Sequence, residues 1–195
     1  MGGTMKRRIG RKRERGATLV EAAVVLPVLL LVIIAILELG LVFKDYLTVS
    51  YLSREAARIG ALAGNDTYAD CAIVLGIEDL ATPRDLGRLE PIEIYRASPN
   101  GAVLDGPNTA TYDGGDPPQC SVPAHVNDTW TLNSSPWPTG DRETSVGPSV
   151  SPDIIGVRIQ MQHDWITGLP PFRGSIQIDE RTITRLEPKA FFPGA

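Results

Sequence analysis

The sequence has few of the residues from which enzyme active sites and metal sites are built. It contains only two cysteines and two histidines, and it lacks G-x-S-x-G, H-E-x-x-H and phosphate-loop motifs. Cys71, Cys120, His125 and His163 are spaced too widely for a typical zinc site. Residues 113–116 (DGGD) lack the spacing of a calcium-binding loop and indicate a turn. We therefore predict that the protein is not an enzyme and requires no metal or cofactor.

Basic residues are scarce in most of the chain but concentrated near its N-terminus. Residues 6–15 hold seven lysines and arginines and one acid, whereas the rest of the chain holds 12 basic and 22 acidic residues. A basic end on an acidic body indicates contact with either nucleic acid or a membrane. Nothing nearby resembles a nucleic-acid recognition fold, so we predict no nucleic-acid binding. We instead expect the basic residues to keep this end of the chain in the cytoplasm.

Charge is nearly absent from residues 17–43, where Glu21 and Glu38 are the only ionisable side chains. As a helix this stretch would be about 40 Å long, which is enough to cross a hydrocarbon core of about 30 Å. It is longer than the apolar part of a secretory signal peptide, so we expect it to be retained. The predicted topology is a single membrane span with a cytoplasmic N-terminus and the C-terminal domain outside.

Two residues interrupt the apolar character of the span. Pro27 removes a backbone hydrogen-bond donor and is expected to kink or loosen the helix. Glu21 costs about 2.5–3.5 kcal/mol if its charge lies deep in the membrane. Its carboxylate therefore either reaches the cytoplasmic interface or pairs with a cationic group. The second possibility makes Glu21 a candidate functional residue.

Residues 15–21 (RGATLVE) resemble a prepilin processing site. In such sites a basic leader ends in glycine, and the apolar helix that follows carries glutamate at its fifth position, which here is Glu21. The wider stretch 15–64 includes Pro27, Glu38, Tyr46 and the sequence SREAAR. This stretch resembles the TadE-like pseudopilins of bacterial tight-adherence (Flp) pilus systems, and so does TRLEP near the C-terminus.

The resemblance implies both a processing step and an assembly role. A membrane prepilin peptidase would cleave after Gly16 and leave Ala17 with a free α-amine. The carboxylate of Glu21 would pair with such an amine, most plausibly on a neighbouring subunit, and so favour one assembly register. Pro27 and Glu38 belong to the same implied assembly helix. The implied partners are the bacterial inner membrane, the prepilin peptidase, other pilins and the pilus assembly platform.

Helical spacing continues beyond the membrane span. Apolar positions in residues 44–64 recur at helical intervals, and Gly60 and Gly64 indicate that the helix ends near Ala63. Such a helix would need a partner surface to bury the apolar stripe of its outer half. The predicted organisation is a basic leader (1–16), a transmembrane helix (17–43), a helix extension (44–64) and an exported domain (65–195).

The exported part is predicted to be an α+β domain. Residues 98–152 hold nine of the sixteen prolines and are predicted to be mostly loop. Apolar alternation predicts strands elsewhere, with a slip near Glu180 that indicates a bulge. A long helix packed on a small antiparallel sheet is an α+β arrangement and resembles a pilin head. The predicted second helix and the three strands lie at 69–80, 91–97, 155–165 and 174–186.

Two features of the exported part bear on its stability and on binding. A disulfide between Cys71 and Cys120 is predicted outside the membrane, where it would close about fifty residues and contribute roughly 4 kcal/mol. Two unpaired thiols are the alternative. Tyr112, Trp130 and Trp137 lie in or beside the proline-rich stretch. They form either an exposed binding surface or local packing anchors, and the sequence leaves both open.

We predict that the protein is a minor pilin or pseudopilin with a structural role in pilus assembly. The alternative is an unprocessed, signal-anchored envelope protein that acts through its outer domain as a binding module or adhesin. An envelope hydrolase would need clustered acid and base groups within residues 98–165, and the sequence gives no sign of them.

Overall fold

A single long helix dominates the computed structural model, which describes residues 11–112, 121–122, 125–126, 130–134, 136–168, 170 and 172–188. Helix α1 (Arg11–Ala63) is continuous through Pro27. It ends where Gly64 adopts a φ of +59°, a left-handed conformation that commonly terminates helices. The prediction of one helix running from the membrane span to Ala63 is confirmed, and the helix begins earlier, at Arg11.

An antiparallel sheet forms the second layer of the protein. Its strands are β1 (Ile92–Ala97), β2 (Val103–Tyr112), β5 (Trp130–Asn133), β6 (Ile154–Asp164) and β7 (Ser175–Arg185). The strand order is β5-β2-β1-β6-β7, and every neighbouring pair is antiparallel. Strands β3 (Ser121–Val122) and β4 (His125–Val126) pair with each other in a separate two-stranded sheet. The predicted α+β class with a long apolar N-terminal helix is therefore confirmed.

The hydrophobic core lies between the sheet and the outer half of α1, together with helix α2 (Ala69–Leu80), whose predicted bounds are confirmed. The short helix α3 (Pro83–Leu86) follows α2. Below, the sheet together with α2 and α3 is called the head. Burying each large aliphatic side chain contributes about 1.5–3 kcal/mol, so this core supplies most of the stability of the head. Its fully buried aliphatic side chains include Val49, Leu52, Ile73, Ile77, Ile155 and Ile159.

Gly60 lies at a close contact between α1 and the head. A Cβ atom at this position would be 2.7 Å from Ile155 Cδ1 and 2.9 Å from Ile73 Cδ1. Gly60 is therefore a close-packing residue inside the helix. Of the two glycines predicted to end the helix, only Gly64 does so.

Strand β7 pairs with β6 in unbroken register from Ser175 to Arg185, so the predicted bulge near Glu180 is wrong. Glu180 keeps its place on the face that meets α1, because its carboxylate bonds with the Tyr46 hydroxyl and this interaction raises the pKa of Tyr46. The next inward side chain, Thr182, lies 3.0 Å from Ser53 Oγ of α1. A polar residue on the inner face thus resembled a register slip in the sequence.

The prediction that residues 98–152 are mostly loop is wrong for the ten residues of β2 and the four of β5. β2 has little apolar alternation and contains Gly106 and Pro107, so pairing with β1 and β5 decides its conformation. The ladder between β1 and β2 carries irregularities on either side of Arg96. Pairing with neighbouring strands therefore overrides the local sequence preference here.

Of the two alternatives that the sequence left open for the tryptophans of this segment, the structure shows packing anchors and not an exposed binding surface. Trp130 and Trp137 are both buried in the core. The Trp130 indole donates to Glu78 of α2 at 3.1 Å, and its ring meets Tyr112 edge-on at 5.2 Å between centroids. Among the described residues, these side chains hold the proline-rich segment on the head.

A buried polar network fixes the same segment. Asp70 of α2 accepts hydrogen bonds from Asn108 at 2.9 Å and Ser134 at 2.8 Å, and it pairs with Arg142. The Arg142 guanidinium lies 4.4 Å from the centroid of the Trp137 ring. Asn108 also bonds the Trp137 backbone through both of its amide atoms. Because a buried charge must be paired, this network specifies where the segment packs.

Candidate functional site

The predicted processing site and Glu21 lie on the first turns of α1. Gly16 and Ala17 are within the helix, and their side chains lie outside the part of the chain that the structure describes. The Glu21 side chain is exposed. No ion pair to Glu21 occurs among the described side chains. Its carboxylate is therefore accessible to a group from another molecule.

The N-terminal half of α1 carries apolar side chains that the described part of the chain leaves largely exposed. Among the described residues, the part of α1 from Thr18 to Ala63 is the one helical stretch long and apolar enough to cross a membrane, and none of its most apolar 18-residue window is buried. A continuous apolar surface of this size is rare on a protein facing water. A membrane or neighbouring apolar helices must cover it.

An exposed apolar stripe continues along α1 past the predicted end of the membrane span. Leu29, Ile36, Phe43, Leu47 and Tyr51 follow one another at helical intervals of seven and four residues. Phe43, Leu47 and Tyr51 are 61%, 51% and 56% exposed. They lie on the opposite side of α1 from Val49 and Leu52, which contact the head. Leu47 and Tyr51 lie past residue 43, the predicted end of the membrane span.

The opposite face of α1 bears two buried acids. Glu38, Asp45 and Leu52 recur every seven residues, and all three are buried. The Glu38 carboxylate accepts the backbone N–H of Thr167 at 2.7 Å and that of Ile166 at 3.3 Å. Glu38 is therefore engaged within its own subunit, where it ties α1 to the connection between β6 and β7.

Asp45 lies at the centre of a cluster of charged side chains between α1 and the head. Its Oδ2 atom accepts from Arg88 and lies 2.7 Å from His163 Nδ1. Lys44 lies 3.3 Å from Asp45 and 3.4 Å from Asp85. A carboxylate can only accept, so His163 Nδ1 carries the proton. The 3.4 Å approach of Arg88 to the same nitrogen is then a contact between two donors.

Backbone structure positions each member of this cluster. Residues 88–90 extend the pairing of β1 with β6, because Gln162 donates its N–H to the Arg88 carbonyl at 3.1 Å. Arg88 Nε in turn donates to the Gln162 carbonyl at 3.0 Å. Thr82 caps the short helix α3 and donates to Asp85 at 2.7 Å. The cluster therefore joins α1, α3 and β6 at the base of the head.

Residues 16–58 match the family model described as TadE-like protein. The N-terminal part of this chain is therefore similar to TadE-like proteins. The resemblance stated from the sequence for residues 15–64 is thereby confirmed over residues 16–58. No curated protein matches the chain, and no solved structure matches it.

Within the TadE-like segment, Asp45 is ionised at neutral pH. Burial favours the neutral form of its carboxyl group, but the hydrogen bonds from Arg88 and His163 outweigh that effect. Together they lower the pKa of Asp45 from 3.8 to about 2. The charge of Asp45 is balanced by the cationic groups of Lys44 and Arg88 in a buried position. This arrangement stabilises the packing of the TadE-like helix against the head and indicates a structural role.

The predicted site residues do not converge on one place. Glu21 and Glu38 are 17 residues apart on one helix, which separates them by about 25 Å. Cys71 is buried in α2, while Cys120 lies outside the described residues, so the disulfide stays a prediction. The cluster of Asp45, Arg88 and His163 was missed. The seven-residue spacing from Glu38 to Asp45 to Leu52 in the TadE-like segment was the available signal.

Proposed function

We propose that this chain is a minor pilin or pilus-assembly pseudopilin of a tight-adherence pilus system. The TadE-like match supports a structural role connected with such a pilus. The observation that carries the proposal is the stripe of Leu29, Ile36, Phe43, Leu47 and Tyr51 on the side of α1 away from the head. It offers a continuous helix-packing surface from the membrane to the level of the head.

The first proposed step is processing of the N-terminus. The basic leader, residues 1–16, stays in the cytoplasm because of its positive charge. A membrane prepilin peptidase then cleaves after Gly16. Cleavage removes all seven basic residues of the leader and creates a free α-amine at Ala17. The span then carries a cationic group four residues before Glu21, at the cytoplasmic edge of the membrane.

The second proposed step is lateral association. The exposed Glu21 carboxylate pairs with the Ala17 amine of a neighbouring subunit, which relieves the cost of holding the carboxylate in lipid. The apolar stripe packs against helices of other pilins or of the assembly platform. Gly40 lies on the same side of α1, and a Cβ placed there would have no neighbour within 4 Å. Its small size allows another helix to approach closely.

Processing is tested by mass spectrometry of the chain extracted from membranes of a cell with the pilus system. We expect a mature N-terminus at Ala17. The variant Gly16→Ala should retain the leader and still insert, whereas Gly10→Ala, which alters another glycine of the leader, should be processed normally. An intact leader on the unaltered chain would support the signal-anchored binding protein instead.

Association is tested separately with Glu21→Ala and Glu21→Gln, both of which remove the charge. Both should insert normally, be cleaved, and fail to co-purify with other pilins. Val25→Ala, one helical turn away on the same apolar helix, is the matched control and should behave like the unaltered chain. Normal piliation with either Glu21 variant would refute the proposed pairing while leaving the processing step intact.

A further inference from the structure

The connection between β6 and β7 is unusually apolar for an exposed loop. Its sequence from 165 to 173 is WITGLPPFR, with one charged residue. Ile166 is 66% exposed, and the rings of Trp165 and Phe172 lie 5.0 Å apart. The loop begins where β6 passes the Asp45 cluster, and it extends away from the head. Its apolar groups therefore lie at the end of the head that faces the membrane.

The loop runs beside the apolar part of α1. Glu38 accepts the N–H groups of Ile166 and Thr167, which sets the level at which the loop meets the helix. Beyond that level, Pro170 and Phe172 line a shallow groove against α1. The helix residues that share this groove are Val28, Leu31, Val32, Ile34 and Ala35.

The depth of the loop follows from the helix rise. The proposed function places the cytoplasmic edge of the membrane near Ala17. Counted from that edge, the twenty helical residues 18–37 span about 30 Å, so Glu38 lies at the outer boundary of the hydrocarbon core. Ala35 and Leu31 lie about 5 Å and 10 Å below Glu38 along the helix axis. Phe172, which faces this stretch, is therefore at the depth of the outer acyl chains.

We propose that the tip of the β6–β7 connection inserts into the outer leaflet and forms a second membrane contact beside α1. The proposal rests on the membrane placement of α1 in the proposed function. The ligand is the lipid bilayer itself, and its acyl chains contact the side chains of Ile166, Pro170 and Phe172. Trp165 and Arg173 flank the tip at the headgroup level, where an indole and a cation are favoured.

The backbone of the tip suits an apolar environment. Pro170 has no N–H group, and the sequence places a second proline at 171, so two potential unpaired donors are absent. The Ile166 and Thr167 donors are taken by Glu38. Arg173 Nε donates to the Gly168 carbonyl at 3.3 Å.

The test uses tryptophan fluorescence of the full chain in nanodiscs that hold one copy each. Trp165→Phe is the background, in which the buried Trp130 and Trp137 give a constant signal. Ile166→Trp and Phe172→Trp each place a reporter on the tip. Lipids brominated on the acyl chains then quench any indole that reaches them.

Two further variants in the same background calibrate the result. Leu29→Trp reports on the exposed membrane helix, and Ile183→Trp reports on an exposed position of the head. We expect the tip reporters to lose a fraction of their fluorescence comparable with that lost by Leu29→Trp, and Ile183→Trp to lose none. Agreement of the two tip reporters guards against a local disturbance by either substitution.

The outcomes separate this inference from the proposed function. Quenching of Leu29→Trp without quenching of either tip reporter would overturn the inserted tip and leave the membrane span in place. If Leu29→Trp were not quenched, the span itself would be wrong. The tip reporters are also compared between discs that hold one copy and discs that hold two. If quenching occurs with one copy but disappears with two, the tip contacts a neighbouring subunit, and lipid is overturned as its ligand.

Discussion

Replacing Asp45 by asparagine should destabilise the joint between α1 and the head while leaving membrane insertion unchanged. Asp45 is 3% exposed and accepts from Arg88 and His163. The variant keeps the shape of the side chain but removes the charge that balances Arg88 and Lys44. Because the cationic partners stay in place, the loss exceeds that of a simple hydrogen bond.

The size of the effect follows from the geometry. The shift of the Asp45 pKa from 3.8 to about 2 corresponds to about 2 kcal/mol of preference for the charged form in the folded state. Removing one partner of a fully buried pair costs about 3–5 kcal/mol. Water reaches Arg88, whose side chain is 20% exposed, and offsets part of this. We expect a loss of about 2–3 kcal/mol, which lowers the melting temperature by roughly 5–10 °C.

The assay is thermal unfolding of the mature chain in detergent micelles, followed by near-UV circular dichroism. Asp179→Asn is the matched control, because Asp179 also pairs with an arginine, Arg158, but in a more exposed position. Such surface pairs contribute about 0–1 kcal/mol. A cost for Asp45→Asn no larger than that of Asp179→Asn would refute the structural role of the cluster.

The pH dependence gives a second check on Asp45. A carboxyl group whose pKa is lower in the folded than in the unfolded state stabilises the fold above the unfolded value. The contribution of Asp45 should therefore be complete above about pH 4 and should disappear as the pH falls from 3.8 to about 2. The Asp45→Asn variant should lack this component, so the stability difference between the two chains should shrink across that window.

Two further substitutions test packing and covalent structure. A Cβ at Gly156 would overlap the buried ring of Tyr95, so Gly156→Ala should cost about 1–3 kcal/mol by chemical denaturation. Gly140→Ala, where a Cβ has no neighbour, should change stability by less than about 0.5 kcal/mol. Cys71→Ser should remove the predicted bond to Cys120 and cost roughly 4 kcal/mol. Equal mobility of reduced and unreduced chain on a gel, with both thiols alkylated, would contradict that bond.

Elements with strong local patterns could be predicted from the sequence. α1 is apolar on all sides over its membrane part, and α2 was predicted with its observed bounds. β6 alternates apolar and polar residues, and its predicted and observed bounds differ by one residue at each end. In each of these segments the local sequence pattern matches both the observed secondary structure and the observed burial, so the pattern alone is enough to predict the element.

The elements that escaped prediction depend on distant partners. β2 contains Gly106 and Pro107 and becomes a strand because β1 and β5 pair with it. Trp130 and Trp137 are in a segment rich in loop-forming residues, and the sequence does not show that α2 and the sheet cover them. Contacts of this kind are set by the tertiary fold.

The candidate site divides in the same way. The predictions for Gly16 and Glu21 rest on a spacing that is local to a basic leader and an apolar helix, and they stay predictions. The Asp45 cluster could not, since Asp45 and His163 are 118 residues apart in the chain. Glu38 was predicted to belong to the assembly helix; it lies in α1, and its role in assembly stays a prediction. That its carboxylate meets the backbone of the β6–β7 connection was not visible in the sequence.

The docked face of α1 has a consequence for the exchange of heads between related proteins. The TadE-like match ends at residue 58, but Gly60 and Ala61 still contact the head, and Ala61 accepts a backbone hydrogen bond from Glu187. A chimera joined at residue 58 would therefore divide one packed surface between two parents. A graft joined at Gly64 would instead transfer the whole helix, and the recipient head would have to offer matching side chains to Asp45 and Leu52.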